Sequence, residues 1–323
     1  MIYLKVRGRL GNQFFQYATV ECYKEKYFPN EEIALDFSDL KRLGTEEDGF
    51  VDSLKNFNVP PYKTVDKIDG NALQKLVIFF MKVPNAFLRL IGLKNIADRC
   101  TYKFEKFMQP FLNKIGVFYM IHGYCEFHNT KAKNKIFYGN FESSKYFDEI
   151  RDNILEMYTP KEPINKDKIE LYDKIKNSNS VCITIRRGDF VQNEQFKSIH
   201  YICDEKYFYK ALEIIKQKIN NPLFVVFSDD IKWVKENMDF GSEAIYESGN
   251  DSLAEKIREM SMCKNFIISN STFSWWAQYL SKNDDKIVIA PNEWKKVAYK
   301  KDCSKLDIYQ DKWIRIDKNG QVV

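Results

Sequence analysis

The sequence predicts an α/β protein built on parallel sheets. In its second half, apolar runs of five or six residues, VCITI (181–185), LFVVFS (223–228), NFIIS (265–269) and KIVIA (286–290), alternate with helical patterns. Runs that are apolar on both faces belong to strands covered by helices on both sides, which is how βαβ units read. The first half opens in the same way, with IYLKV (2–6), a glycine-containing turn and a helical pattern from about Phe14 to Tyr27. A chain of 323 residues has room for two such units.

Taken in order, IALDF (33–37) is the second strand, and residues 38–70 are polar and irregular with Pro60-Pro61 as a breaker. Residues 71–97 carry Lys75, Lys82, Arg89 and Lys94 and no acid. We read them as two helices interrupted at Pro84, packed on the core with their cations in water. The competing reading is a basic amphipathic stretch lying on an anionic bilayer. KIFYGNFES (135–143) reads as strand and loop, and Tyr146–Tyr158 as a helix closed by Thr159-Pro160. The Lys- and Pro-containing stretch 159–168 is the linker expected between units 1–160 and 161–323, the first with a helical insertion over about 71–135. Helices follow at Glu205–Ile219, from Ile231, at Leu253–Cys263 and at Thr272–Ser281. The last residues could return to the first unit.

Lys+Arg exceed Asp+Glu by 50 − 45 = 5, and the isoelectric point is near 8.6. That balance permits contact with phosphates without demanding it, and there is no basic block of the kind that binds nucleic acid. The seven cysteines are scattered with no C-x-x-C, as expected of reduced thiols in a cytosolic protein. MIYLKVRGRL begins as a strand without an apolar signal core, and no run reaches ~18 uncharged residues. The expected location is the cytoplasm, with peripheral contact at the inner membrane through 71–97 under the second reading.

Glycine is scarce, 13 of 323 against a usual ~7%. Neither G-x-G-x-x-G nor G-x-x-x-x-G-K-[ST] occurs, so a bound nucleotide would need another cradle. In open α/β sheets ligands sit beyond the carboxyl ends of strands, and four polar clusters fall there: Arg186-Arg187-Gly188-Asp189, Ser228-Asp229-Asp230, Asn270-Ser271-Thr272-Phe273-Ser274, and Pro291-Asn292. An arginine just past a strand is a fixed fork suited to a diphosphate. Ser271 or Thr272 at a helix N-cap would complete an anion site without glycine. Asp229 or Asp230 can accept hydrogen bonds from a base edge or sugar diol, and Asp230 can equally cap the helix starting at Ile231. Arg187 and Asp189 can brace the loop by pairing. Trp275 and Trp276 read as core anchors. No D-x-D clasp occurs, and His122, Cys125 and His128 read as polar loop residues rather than zinc ligands. No metal is therefore expected.

The stretches GRLGNQFFQYA (8–18), YGNFESSKYF (138–147), ITIRRGDF (183–190), VVFSDDIKWVKEN (225–237), MSMCKNFIISNSTFSWWAQYL (260–280) and VIAPNEW (288–294) resemble the family 11 glycosyltransferases, the bacterial α-1,2-fucosyltransferases that use GDP-fucose. The resemblance implies a GT-B fold, two Rossmann-like domains facing across a cleft. It also implies metal-independent, inverting transfer of fucose to the 2-hydroxyl of a galactoside in a surface glycan, with the second domain taking the donor. By the same resemblance Arg186 grips the donor diphosphate, the backbone at Ser271, Thr272 and Phe273 holds the same group with Asn270 beside it, and Gly11, Asn12 and Gln13 meet the fucose and acceptor. Where the family usually has histidine two residues before the first arginine, near the nucleotide or diphosphate, this chain has Thr184. Asp189 and Glu194 are the candidate bases. The alternatives are a GT-B transferase using another GDP-sugar, or an inactive sugar-nucleotide-binding subunit.

Overall fold

The structure, a computed structural model, describes residues 1–90, 94–188, 191, 194–295 and 307–323. The chain divides into two compact units. One comprises Met1–Tyr158 with 307–309, and the other the described residues of 159–303 with Gln310–Val323.

The first unit is a five-stranded, wholly parallel sheet in the order β3-β2-β1-β5-β4. Its strands are β1 (Ile2–Lys5), β2 (Ile33–Asp36), β3 (Lys63–Thr64), β4 (Val117–Met120) and β5 (Lys135–Gly139). Helix α1 (Leu10–Tyr27) is buried at nearly every position from Leu10 to Tyr23, so it is enclosed on all sides where most helices bury a single stripe, and its polar residues Gln13, Gln16, Thr19 and Glu21 are enclosed with it. Phe14 stacks on Tyr158 at 3.8 Å between ring centroids, and the Tyr158 hydroxyl donates to the Phe14 carbonyl at 2.6 Å. Helix α2 (Leu40–Leu43) is a single turn. Helices α3 (Ala72–Leu90) and α4 (Lys94–Lys114) form the insertion.

Several boundaries differ from the sequence expectation. Helix α1 begins at Leu10, so Gly11, Asn12 and Gln13 form its first turn and are not a separate loop. Helix α3 runs through Pro84 and α4 through Pro110. The helical part of the insertion ends at Lys114, because β4 lies inside 71–135 and pairs with β5 from Val117 to Met120. Between Ser144 and Met157 two 3₁₀ turns precede a short α5 (Arg151–Met157), where a single helix is expected.

The second unit is a six-stranded parallel sheet in the order β11-β10-β9-β6-β7-β8. It is built from β6 (Asn179–Ile185), β7 (Pro222–Ser228), β8 (Ala244–Tyr246), β9 (Asn265–Ile267), β10 (Val288–Pro291) and β11 (Ile314–Ile316). Counted from β6, this is the doubly wound order 3-2-1-4-5-6 of a dinucleotide-binding fold, with its reversal between β6 and β9. Connecting helices are α6 (Ile169–Asn177), α7 (Glu194–His200), α8 (Glu205–Lys218), α9 (Ile231–Asn237), α10 (Leu253–Met262) and α11 (Thr272–Tyr279). Trp275 and Trp276 are fully buried core anchors. Both units are thus Rossmann-like, as the resemblance leads one to expect. The five cysteines among the described residues are free thiols.

Candidate functional site

Polar groups gather where the strand order of each sheet reverses, the place where an open α/β sheet leaves a crevice. In the second unit the reversal lies between β6 and β9, which are followed by the arginine loop and by the segment leading into α11. Arg186 Nη1 pairs with Asp229 Oδ2 at 3.1 Å, both side chains partly open to water. The other oxygen, Oδ1, accepts from the Arg187 amide at 2.7 Å. Arg187 turns the other way. Its guanidinium lies 3.2 Å from the Trp233 ring centroid, and its Nε reaches Asp230 Oδ2 at 3.4 Å. Asp230 also accepts from the Trp233 amide and caps α9. Both aspartates are therefore spent on the arginine loop. Asp229 holds the exposed arginine and Asp230 anchors the packed one. A Cβ at Gly188 would stand 2.5 Å from Asp229 Oδ2, so only glycine lets this carboxylate approach.

On β6 itself, Thr184 is buried and its hydroxyl accepts from the Ser269 amide across the reversal at 3.0 Å. It stitches β6 to the end of β9. Asn270 is also buried, and its amide nitrogen donates to the carbonyls of His200 at 2.9 Å and Trp294 at 3.1 Å. The Tyr207 hydroxyl donates to the Ile268 and Ile289 carbonyls at 2.6 and 3.2 Å. These bonds fix the backbone that enters α11. Ser271 takes the N-cap position with extended backbone, but its side chain makes no capping bond, so the expected hydroxyl cap is not formed. The first turn of α11, Thr272–Phe273–Ser274, has no acidic residue. Its amide dipoles offer a positive end to an anion.

In the first unit the reversal lies between β1 and β5. Gly8, at φ +75° in the turn after β1, would place a Cβ 2.9 Å from Asn12 Cβ; both the conformation and the space require glycine. Asn12 is half-buried, and its amide reaches Glu142 Oε1 at 3.5 Å. Glu142 follows Phe141, which is held at φ +55° while buried among aromatic rings. Left-handed backbone at a bulky residue is costly and persists only where packing enforces it. Gly11 is buried inside α1. Gln13 is fully buried: its nitrogen donates to the Gly8 and Val51 carbonyls at 3.1 and 2.7 Å, and its oxygen accepts from Ser53 N at 3.0 Å. Gln13 therefore ties loops together, with both of its N–H donors spent inside the fold.

Sequence reasoning misses three features here. Glu142 lies in a quoted stretch but had no partner until the fold placed it by Asn12. Lys5, Arg7 and Asp39 form an ion cluster past β1 and β2, with Lys5–Asp36 at 2.8 Å and Arg7–Asp39 at 3.7 Å. Lys82 reaches in from α3 to 4.2 Å from the Tyr138 ring, and burial pushes its ammonium below the ordinary lysine value. Asp189 lies outside the described residues. Glu194 begins α7 with an 85% exposed side chain, paired with Lys197 at 3.3 Å. No cluster of metal ligands occurs among the described residues.

Residues 94–317 match the family described as Glycosyl transferase family 11. The chain is 32% identical to an alpha-1,2-colitosyltransferase of Escherichia coli, over 98% of this chain and 99% of that one. It is 29% identical to the O-antigen biosynthesis glycosyltransferase WbnK of Escherichia coli, over 91% and 94%. Among solved structures it is similar to the fucosyltransferase NodZ from Bradyrhizobium, with TM-score 0.46 and 11% identity, covering 86% of this chain and 92% of that one. The chain belongs to glycosyl transferase family 11 and is a glycosyltransferase.

Proposed function

We propose that the enzyme transfers L-fucose from GDP-fucose to the 2-hydroxyl of a galactoside, with inversion and without a metal. The observation that supports this reading is Arg186, fixed by Asp229 past the end of β6, the strand that neighbours β9, after which the chain enters α11. Glycosyl transfer passes through an oxocarbenium-like state while negative charge grows on the departing diphosphate. A metal-free site must meet that charge with donors already in place. Arg186 supplies a permanent positive charge, and the amides at Thr272 and Phe273 supply dipoles. Asp229, Asp230, Thr184 and Asn270 act through those groups by holding them. In the first unit Asn12 orients the sugars, and Glu142 is the carboxylate we assign to the acceptor proton, Glu194 being open to water.

The relative named for colitose transfer favours a second reading, in which the same 1,2 linkage is made with colitose. Purified enzyme given GDP-fucose or GDP-colitose with a panel of galactosides, in the presence of EDTA and with product linkage determined by NMR, decides between them. Fucose in an α-1,2 linkage supports the first reading. Transfer of colitose alone establishes the second. Donor binding without product leaves an inactive binding subunit, and loss of transfer in EDTA overturns the metal-free mechanism.

A further inference from the structure

Helix α3 has two apolar faces, and the fold uses one. Met81 is buried, and Val77 and Ile78 pack with it against Leu112, Val117 and Tyr119. The other face carries Leu73, Leu76, Phe80, Val83, Phe87 and Leu90, spaced alternately three and four residues apart, which is one stripe of a helix. These six side chains are 42% to 85% exposed. Phe107 and Phe111 of α4 are exposed as well. Soluble surfaces show such residues singly, and a continuous run of them marks a contact surface.

Charge indicates what covers this stripe. Residues 72–90 contain no acid. Lys75 is exposed beside the stripe, and Lys103 and Lys106 are exposed near Phe107. Glu105, on the same helix, is turned inward and accepts from the amides of Ile121 and His122. In a symmetric contact a second copy of the chain would bring more cations to the same seam and, among the described side chains of α3 and of α4 around Phe107, no outward carboxylate to meet them. An anionic lipid surface supplies the missing charge. Its fluid acyl boundary also accepts phenylalanines and the ring of Pro84, which a helix-to-helix seam of regular knobs and holes accommodates poorly. Among the described residues, no helix is long and apolar enough to cross a membrane. A helix of 19 residues has length enough, at ~1.5 Å per residue, to lie along a surface over ~28 Å. We propose that α3 docks the enzyme in the interface of an anionic bilayer, its stripe among the upper acyl chains and Lys75 at the phosphates. This placement is independent of which sugar is transferred.

The test is co-sedimentation of the full chain with phosphatidylcholine vesicles, with and without phosphatidylglycerol. The expected result is partition onto the anionic vesicles only, weakening as salt is raised. Phe80→Ser with Phe87→Ser should lower partition at least about a hundredfold, from the apolar area withdrawn. Lys75→Glu should lower it about fivefold or more. Both variants should keep wild-type thermal midpoints and wild-type transfer to a water-soluble galactoside, since Lys75, Phe80 and Phe87 lie outside the core cluster that α3 joins. A wild-type chain that stays in the supernatant, or sediments equally with both vesicles, overturns the proposal. So does light scattering that shows a stable dimer made monomeric by the phenylalanine substitutions. If those substitutions unfold the chain, Lys75→Glu and the comparison of vesicles decide.

Discussion

Asp229 holds Arg186 with one carboxylate oxygen, at 3.1 Å, and the backbone of Arg187 with the other. One side chain thus sets both the direction of the exposed guanidinium and the path of the loop beneath it. Arg186→Ala removes the charge itself, and turnover should fall by roughly two to three orders of magnitude, as for loss of a strong transition-state donor. Asp229→Asn leaves the arginine in place but unaimed, and should cost about ten- to a hundredfold, the effect of a misplacement near 1 Å. Steady-state kinetics on variants with wild-type circular dichroism check both. Near-normal turnover in Arg186→Ala would remove Arg186 from the mechanism.

Gly188→Ala should impair catalysis more than stability. The added methyl would sit 2.5 Å from Asp229 Oδ2, and a carboxylate can swing away at small folding cost. In doing so it releases Arg186. Turnover should fall at least about tenfold, with a change in unfolding free energy below about 1 kcal/mol by urea titration. Equal loss of stability and activity would mean that the loop backbone, rather than the carboxylate, is what yields.

Asn12 and Gln13 are neighbours with separable roles. Gln13→Ala leaves the carbonyls of Gly8 and Val51 and the amide of Ser53 without their partner. It should destabilise the fold by about 1–3 kcal/mol, read from a denaturation curve. Asn12→Ala should leave the curve unchanged and lower kcat/KM for the acceptor. Glu142→Gln, beside Asn12, should lower kcat with little change in the KM for the donor, whereas an enzyme using another base would keep its kcat.

Lys168 pairs with both Asp251 and Glu259, and the two carboxylates respond to acid with opposite signs. Burial works to raise the Asp251 value but is outweighed by bonds from Lys168 and Ser248, so it lies below the ordinary 3.8. Its stabilisation is present above that value and is lost as pH falls through the lowered one. Burial of Glu259 prevails over Lys168 and raises its value above 4.5. The folded state takes up that proton more readily, so acidification through the raised value favours folding. Asp251→Asn should therefore flatten the decline of thermal midpoint with acid, and Glu259→Gln should steepen it. Parallel changes in the two variants would contradict the assignment.

The apolar strands β1, β2, β5, β6, β7, β9 and β10 are legible because a strand buried on both faces must be apolar at consecutive positions. Strands β3, β4, β8 and β11 are not: β3 is two exposed residues, β8 and β11 are short and only partly buried, and β4 lies inside what reads as a helical insertion. Without β8 and β11 the strand order cannot be completed, and the reversal beside β6 stays hidden. Pro84 misleads because a proline costs one backbone bond, which packing of Met81, Val77 and Ile78 outweighs.

The sequence by itself determined the fold class, the family and the polar clusters after β6, β7 and β9, because strand periodicity and motif order are local. Only the tertiary structure decided how each cluster is spent. Asp229 and Asp230 serve the arginines, Thr184 and Asn270 serve the backbone around α11, Gln13 serves its own loops, and Glu142 meets Asn12 across 130 residues. A side chain's chemistry is written in its type, but its partners come from distant strands, and a hydrogen bond made inside the fold is no longer available to a ligand.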